Sequence, residues 1–363
     1  MDRFDKKQRA LVNRLSAELR AIYLSIIQQV ANMSVNYSNL EYAFANHPDL
    51  NRKVNELMRM MHSDINTLVL TGVQDCWEIA NNKHDLLFQT VFGKKAKLLP
   101  SRALNRYLAP NIHARDAFLN RLEGGLNLSQ RIWRNTAQFK QELELALEFA
   151  VSKGQSAKTT AIQMSRYLNN PIVLRENVNS RFGEQRLLNA VDVARPGRGM
   201  YRSSYKNAMR LTRNETNFAY ESAQMLRRQQ QDFIVGINIS VAPNYDISLD
   251  KGGIVCADLQ GTYPKDFDFS QKWHVNCRCV ATNILKTRDE IDEDTERIIK
   301  GQEVTGESVN RVTEVSNLDY IKEVEELTKN WKRRPVWLET LKVNYPPTLK
   351  SDGMGFKPKN ECT

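Results

Sequence analysis

Apolar residues recur every three or four positions through the first part of the chain. Leu11, Leu15, Leu19, Ile22, Ile26 and Val30 form one such row, and Val54, Leu57, Met61, Ile65 and Leu68 form another. This is the spacing of long amphipathic helices. Pro48, Gly72, Gly93, Pro100 and Pro110 punctuate the region, and Gly124-Gly125 interrupts it before a further helical run from about Ser129 to Lys153. Ser156 is a predicted N-cap for a helix reaching about Leu168, where Asn169-Asn170-Pro171 stops it. After the Arg195-Pro196-Gly197-Arg198-Gly199 joint, Met200 to about Gln231 holds no Gly or Pro and predicts one long helix, with Phe218, Ala219, Ala223 and Leu226 as its packing face.

Past Asp232 the period falls to two. Val235, Ile237, Ile239 and Val241 alternate with Gly236, Asn238 and Ser240, the pattern of a half-buried strand, and Val280 to Leu285 predicts a returning strand. Pro243-Asn244-Tyr245-Asp246 and Lys251-Gly252-Gly253 supply turns between them. Two strands make a ribbon, which is marginal without a helix or a metal behind it. The acidic run Asp289 to Asp294 starts another helix, and Leu318 to Lys332 has helical spacing with Trp331 and Trp337 nearby. Beyond Tyr345-Pro346-Pro347 the chain reads as extended. The expected fold is mainly α: a helical region over 1–125, a helical connection over 126–194, a small α+β module with a β-ribbon over 195–286, a helical extension over 287–345 and a flexible tail over 346–363.

Composition narrows the class. The 363 residues are 41% hydrophobic and 26% charged, enough to bury a core, and 16 Gly and 11 Pro without a repeat exclude collagen-like or low-complexity chains. No apolar run approaches the roughly 18 residues of a membrane span, and the start of the chain, carrying both charge signs, does not read as a secretory signal. Met58, Met60 and Met61 read as core filling before interaction surface. The net charge is +10, and it belongs to the middle: Val91 to Arg213 holds 22 Lys and Arg against 8 Asp and Glu. Arg198, Arg202, Lys206, Arg210 and Arg213 are spaced four, four, four and three apart, so on one helix they form a cationic stripe suited to a phosphate backbone. A solvated basic face is the alternative.

One constellation carries chemistry. Cys256, His274, Cys277 and Cys279 read C-x17-H-x2-C-x-C, and three thiolates with one imidazole would close the shell of a tetrahedral, structural zinc. The alternative is a set of reduced, buried thiols beside a core histidine. Asp258, two residues after Cys256, is placed to cap, to orient His274 or to replace a ligand. Cys76 and Cys362 stand apart from the cluster. After His113 the only histidine is His274, so a nuclease that needs one imidazole as base and another on a metal has too few. Phosphate-loop, nucleophile-elbow and dinucleotide fingerprints are absent. Arg213-Asn214-Glu215-Thr216 admits a nucleotide-pinning transferase, but an Arg and a Glu in polar contacts at a helix centre is the preferred reading, with Arg213, Glu215, Asn217 and Asp258 as a structural polar set.

The run Met200 to Leu285 resembles the phage Mu protein F-like domain of minor head proteins. The likeness rests on Tyr201-Arg202-Ser203-Ser204-Tyr205, on Ala208-Met209-Arg210-Leu211-Thr212-Arg213-Asn214-Glu215-Thr216-Asn217, and on Tyr220. It continues through Gln231 to Gly236, Cys256-Ala257-Asp258-Leu259 and Trp273-His274-Val275-Asn276-Cys277-Arg278-Cys279. Arg131 to Pro171 is similar to the helical region that precedes this domain in phage head morphogenesis proteins. Val275 stands where the family often has proline, and Asp258 where many members carry a second cysteine, which leaves His274 needed as a ligand. The resemblance implies a non-enzymatic minor capsid protein of a tailed phage or prophage. It would associate with the portal and with capsid or scaffolding protein, sit in the capsid interior after assembly in the host cytoplasm, and contact packaged DNA non-specifically. The alternative is a metal-dependent nuclease or an ADP-ribosyltransferase-like enzyme.

Overall fold

The computed structural model describes residues 2–195, 201–241, 256–274, 277–304, 311–312, 315–331, 334 and 338. Arg198, the predicted turns at Pro243–Asp246 and Lys251–Gly253, Val275, Trp337, Tyr345–Pro347 and Cys362 lie outside the described residues. The helices in chain order are α1 (Arg3–Ser34), α2 (Ala43–Asn46), α3 (Pro48–Phe92), α4 (Ser101–Tyr107), α5 (Ile112–Asn120), α6 (Leu128–Ser152), α7 (Ala157–Asn169), α8 (Pro171–Phe182), α9 (Glu184–Asn189), α10 (Val191–Ala194) and α11 (Ser204–Gln230). Strands β1 (Ile234–Ser240), β2 (Gly261–Tyr263) and β3 (Val280–Leu285) follow, then α12 (Arg288–Ile299) and α13 (Leu318–Leu327). The protein is mainly α with a small antiparallel sheet, and among the described residues no helix is long and apolar enough to cross a membrane.

Two compact units divide the chain: a sheet unit of Met1–Arg9, Asp75–Arg115 and Asn217–Thr363, and a helical unit of Ala10–Gln74 and Asp116–Thr216. These are not the consecutive segments expected from the sequence. The divisions fall inside α1, α3, α5 and α11, helices of 32, 45, 9 and 27 residues that give residues to both units.

In the helical unit Leu15 and Leu19 of α1 and Val54 and Ile65 of α3, members of the two expected rows, are buried, as are Ile132 and Phe139 of α6. Ile22 and Leu68 are only half-buried, and their neighbours Tyr23 and Val69 take the core positions, as a 3.6-residue period drifts across a long helix. Tyr23 packs on Phe139 at 4.6 Å and on Tyr205 at 5.3 Å between ring centroids. Met58 and Met61 fill the core while Met60 is 60% exposed, so the methionine group is split between interior and surface. Gly72, expected to punctuate, lies within α3. A Cβ there would meet Leu15 Cδ1 at 2.5 Å and Thr216 Cγ2 at 3.0 Å, so its role is to let neighbouring side chains approach the helix.

Side chains or a proline mark the start of several helices. Asn127 and Gln130 form a reciprocal capping box at α6, Ser156 caps α7 by accepting from the Thr159 amide, and Pro171 opens α8. At α11 the cap comes from another helix. Glu142 of α6 accepts from the Ser204 amide and hydroxyl, both at 2.7 Å, and from Gln138 Nε2 at 3.1 Å. Burial outweighs these hydrogen bonds and pushes the Glu142 carboxyl up to about 7.

The sheet unit holds a three-stranded sheet in the order β2-β1-β3, antiparallel throughout, where a two-stranded ribbon was expected. The strand that was missed, β2, is three residues long and too short to show a period. β1 is also less one-sided than its alternation predicts: Ile234, Val235, Gly236 and Ile237 are all buried. Val312 covers the second face, its amide donating to the Val235 carbonyl at 3.2 Å, and a Cβ on Gly236 would strike Val312 Cγ2 at 2.5 Å.

The C-terminal half of α11 overturns the expected packing face. Ala219, Tyr220 and Ala223 are buried, but Phe218 and Leu226 are only half-buried, and the remaining buried positions are polar: Glu221, Gln224, Arg227 and Arg228. Arg227 is paired with Asp85 at 2.5 Å and donates to the Ala109 carbonyl at 3.1 Å. Arg228, equally buried, has three guanidinium nitrogens without a hydrogen-bond partner among the described residues. Pattern reading assigns arginine to water, and at Arg227 ion pairing overrides it.

Candidate metal centre

The strand register brings the cluster together. Ile239 of β1 faces Gly261, and Ser240 faces Val280, so the residues entering β2 and those entering β3 arrive at the same end of the sheet. Cys256 opens the turn that leads towards β2, and Cys277 and Cys279 lead directly into β3. Between them Lys272 adopts a left-handed backbone, φ 54°, and the chain bends through Trp273 and His274. The wall is aromatic: Phe269 and Trp273 lie 5.0 Å apart, and Tyr263 and Phe267 stack at 4.7 Å. Cys256, Cys277 and Cys279 belong to this core.

Cys256, His274 and Cys277 form a group that can hold a metal ion, with their ligand atoms within 4.8 Å of one another. The two cysteine sulfurs are 3.8 Å apart, and the Cys256 sulfur is 2.9 Å from His274 Nε2. A tetrahedral ion with bonds of about 2.3 Å to sulfur separates two sulfurs by about 3.8 Å, so the thiol pair already has that spacing. The imidazole would withdraw by roughly half an ångström to reach the sulfur–nitrogen distance of such a site. Cys279 stands outside the three-residue group, though its thiol interacts with both Cys256 and Cys277. The donor set is soft and sulfur-rich with one imidazole nitrogen, which suits zinc chemistry and not a cation that prefers oxygen ligands.

Electrostatics favour a thiolate at Cys277. Burial opposes its charge, but S–H donation from Cys256 and Cys279 and the nearby Lys272 ammonium outweigh burial and hold its pKa well below the ordinary thiol value. Donation to Cys277 keeps the proton on Cys256, whose pKa is raised. Arg9 Nη2 donates to the Arg278 carbonyl at 3.2 Å, fixing the segment between the last two cysteines.

The other predicted site residues are placed differently from one another. Asp258 is exposed and is not a member of the group. Arg202 and Lys206 are exposed, but α11 begins at Ser204, so Arg202 precedes the helix, and Arg198 lies outside the described residues. Arg210 lies over the Tyr201 ring at 5.3 Å, and Arg213 Nε donates to Ser16 Oγ at 3.2 Å. The continuous helical stripe is therefore corrected to two exposed cations followed by two engaged ones. Glu215 is buried and pairs with Arg121 and Arg131 at 2.9 and 2.8 Å, not with Arg213, while Asn217 Oδ1 accepts from Gln8 Nε2 at 2.7 Å.

Sequence reasoning missed two residues beside the cluster, Lys272 and Glu221. Lys272 Nζ donates to the Cys279 carbonyl at 2.8 Å and pairs with Glu221 Oε1 at 3.2 Å. Proximity to His274 was the only available signal for Lys272, and the chain distance to Glu221 hides that residue altogether. In comparisons with known proteins, no family model, no curated protein and no solved structure matches the chain.

Proposed function

We propose that Cys256, His274 and Cys277, completed by Cys279, hold a zinc ion as a structural staple in a non-enzymatic minor head protein of the phage Mu protein F-like kind. The carrying observation is the convergence of Cys256 with His274 and Cys277 of the later motif, against an aromatic core. Zinc would tie the entry of β2 to the entry of β3, in a sheet that has three strands among the described residues, with β2 three residues long. A thiolate-rich closed shell suits stability and not turnover. The burial of Glu215 in two arginine pairs supports a structural reading of the motif Arg213 to Thr216.

The role in the head rests on the resemblance carried by α11 and the cysteine motif. On this reading the protein meets the portal and the capsid or scaffolding protein, occupies the capsid interior and passes through the host cytoplasm during assembly. Non-specific DNA contact rests on the basic middle of the chain, with Arg202 and Lys206 as its exposed members.

Quantitative mass spectrometry of procapsids and mature particles tests the role, the expected result being a few to a few tens of copies per particle. Absence from both would overturn it. Elemental analysis tests the staple: one zinc per chain is expected, and Cys277→Ser with Cys279→Ser should abolish it and lower stability by several kcal/mol. Plasmid cleavage abolished by His274→Ala would replace the structural role with a catalytic one.

A further inference from the structure

Lys272 is placed at some conformational expense. Its backbone is left-handed at φ 54°, a region that glycine enters freely and a side-chain-bearing residue does not. Its amide donates to the Phe269 carbonyl at 2.9 Å, which closes the turn. The side chain is 9% exposed, and its ammonium reaches inward to the Cys279 carbonyl and to Glu221 Oε1. Glu221 is 2% exposed and fixed in turn, since its second oxygen accepts from Gln224 Nε2 at 3.2 Å one helical turn further along α11. Arg228, on the same stretch of α11, stands within electrostatic reach of Glu221.

These contacts make an ordered row: the ligand-bearing segment at the Cys279 carbonyl, the Lys272 ammonium and the Glu221 carboxylate. A divalent ion bound by three thiolates and a neutral imidazole carries one net negative charge, and burying that charge without a counter-ion is unfavourable. The buried ammonium is a positive partner beside the centre, and it touches the ligand-bearing segment through the Cys279 carbonyl. Residues outside a ligand set that orient it and balance its charge commonly change metal affinity by about 10- to 100-fold when removed.

We propose that Lys272, held in place by Glu221, is a positioning residue of the metal centre. It balances the thiolate charge and locks the Cys277–Cys279 segment, so that α11 supports metal binding without supplying a ligand. This inference rests on the metal reading above.

Cobalt(II) titration of the full chain, with zinc competition, tests it. Wild type should take up one ion with thiolate-to-cobalt charge-transfer bands. Lys272→Met should weaken binding roughly 10- to 100-fold, and Lys272→Arg should recover most of the loss. Glu221→Gln should weaken binding alone but add little on top of Lys272→Met, because it acts through the lysine. If Lys272→Met does not fold by circular dichroism, Lys272→Arg and Glu221→Gln decide the matter. Affinities and bands within about twofold of wild type in Lys272→Met and Glu221→Gln would overturn the positioning role and leave the metal centre standing. A Lys272→Arg variant as weak as Lys272→Met would show that charge is not what acts, with the same consequence. Wild type that binds no cobalt would overturn both readings.

Discussion

Glu142→Gln isolates the energetic effect of an inter-helix cap. Glu142 is held by the Ser204 amide and hydroxyl and by Gln138, yet burial pushes its carboxyl up to about 7 from an ordinary 4.5. Below about pH 4.5 the carboxyl is protonated in both folded and unfolded chains and contributes no pH dependence. Between about 4.5 and 7 the unfolded chain releases the proton while the folded chain keeps it, so stability falls as pH rises. Each pK unit corresponds to about 1.4 kcal/mol, so the loss over this window is about 3 kcal/mol, and above pH 7 it levels off. Glutamine does not titrate. The difference in unfolding free energy, variant minus wild type, should therefore rise by about 3 kcal/mol from pH 4.5 to 7.5 in urea titrations, since other titrating groups cancel in the subtraction. A difference flat to within about half a kcal/mol across that range would refute the argument that burial dominates at this site.

Two further substitutions probe the helical unit. Glu215→Ala leaves Arg121 and Arg131 facing an emptied, buried position and should cost about 3 to 5 kcal/mol in denaturant unfolding, far more than an exposed pair would. Gly72→Val drives its side chain into Leu15 and Thr216 and should destabilise by about 1 to 3 kcal/mol, visible as a lower thermal midpoint with the helical circular dichroism of the folded state retained.

What was legible follows from how local the cause is. The periodicity of Leu11 to Val30 and of Val54 to Leu68, the Ser156 cap, and the alternation of β1 are set by neighbours a few residues away, and the helices and strands they predict are present. The cysteine motif was legible because Cys277 and His274 are close in sequence and Cys256 shares their chemistry. The rest depends on partners far along the chain. Gly72 reads as a breaker until Leu15 and Thr216 are seen beside it. Arg227 reads as surface until Asp85 is placed against it, and Arg213 reads as part of a cationic stripe until Ser16 accepts its Nε hydrogen. Lys272 and Glu221 carry no pattern at all; only the fold joins them.

The pairing of Asp5 has a consequence for synthesis on the ribosome. Asp5 Oδ1 accepts from the Tyr220 hydroxyl at 2.8 Å, a contact spanning 215 residues, and from Lys83 Nζ at 2.8 Å. At about 5 to 20 residues per second, the first turns of α1 emerge roughly ten to forty seconds before Tyr220 does. Over that interval the amino-terminal segment cannot complete its native contacts, and a chaperone or assembly partner that recognises it has its opportunity then. A nascent chain stalled before Tyr220 would present this segment to protease, and one stalled well beyond the β3 strand would not.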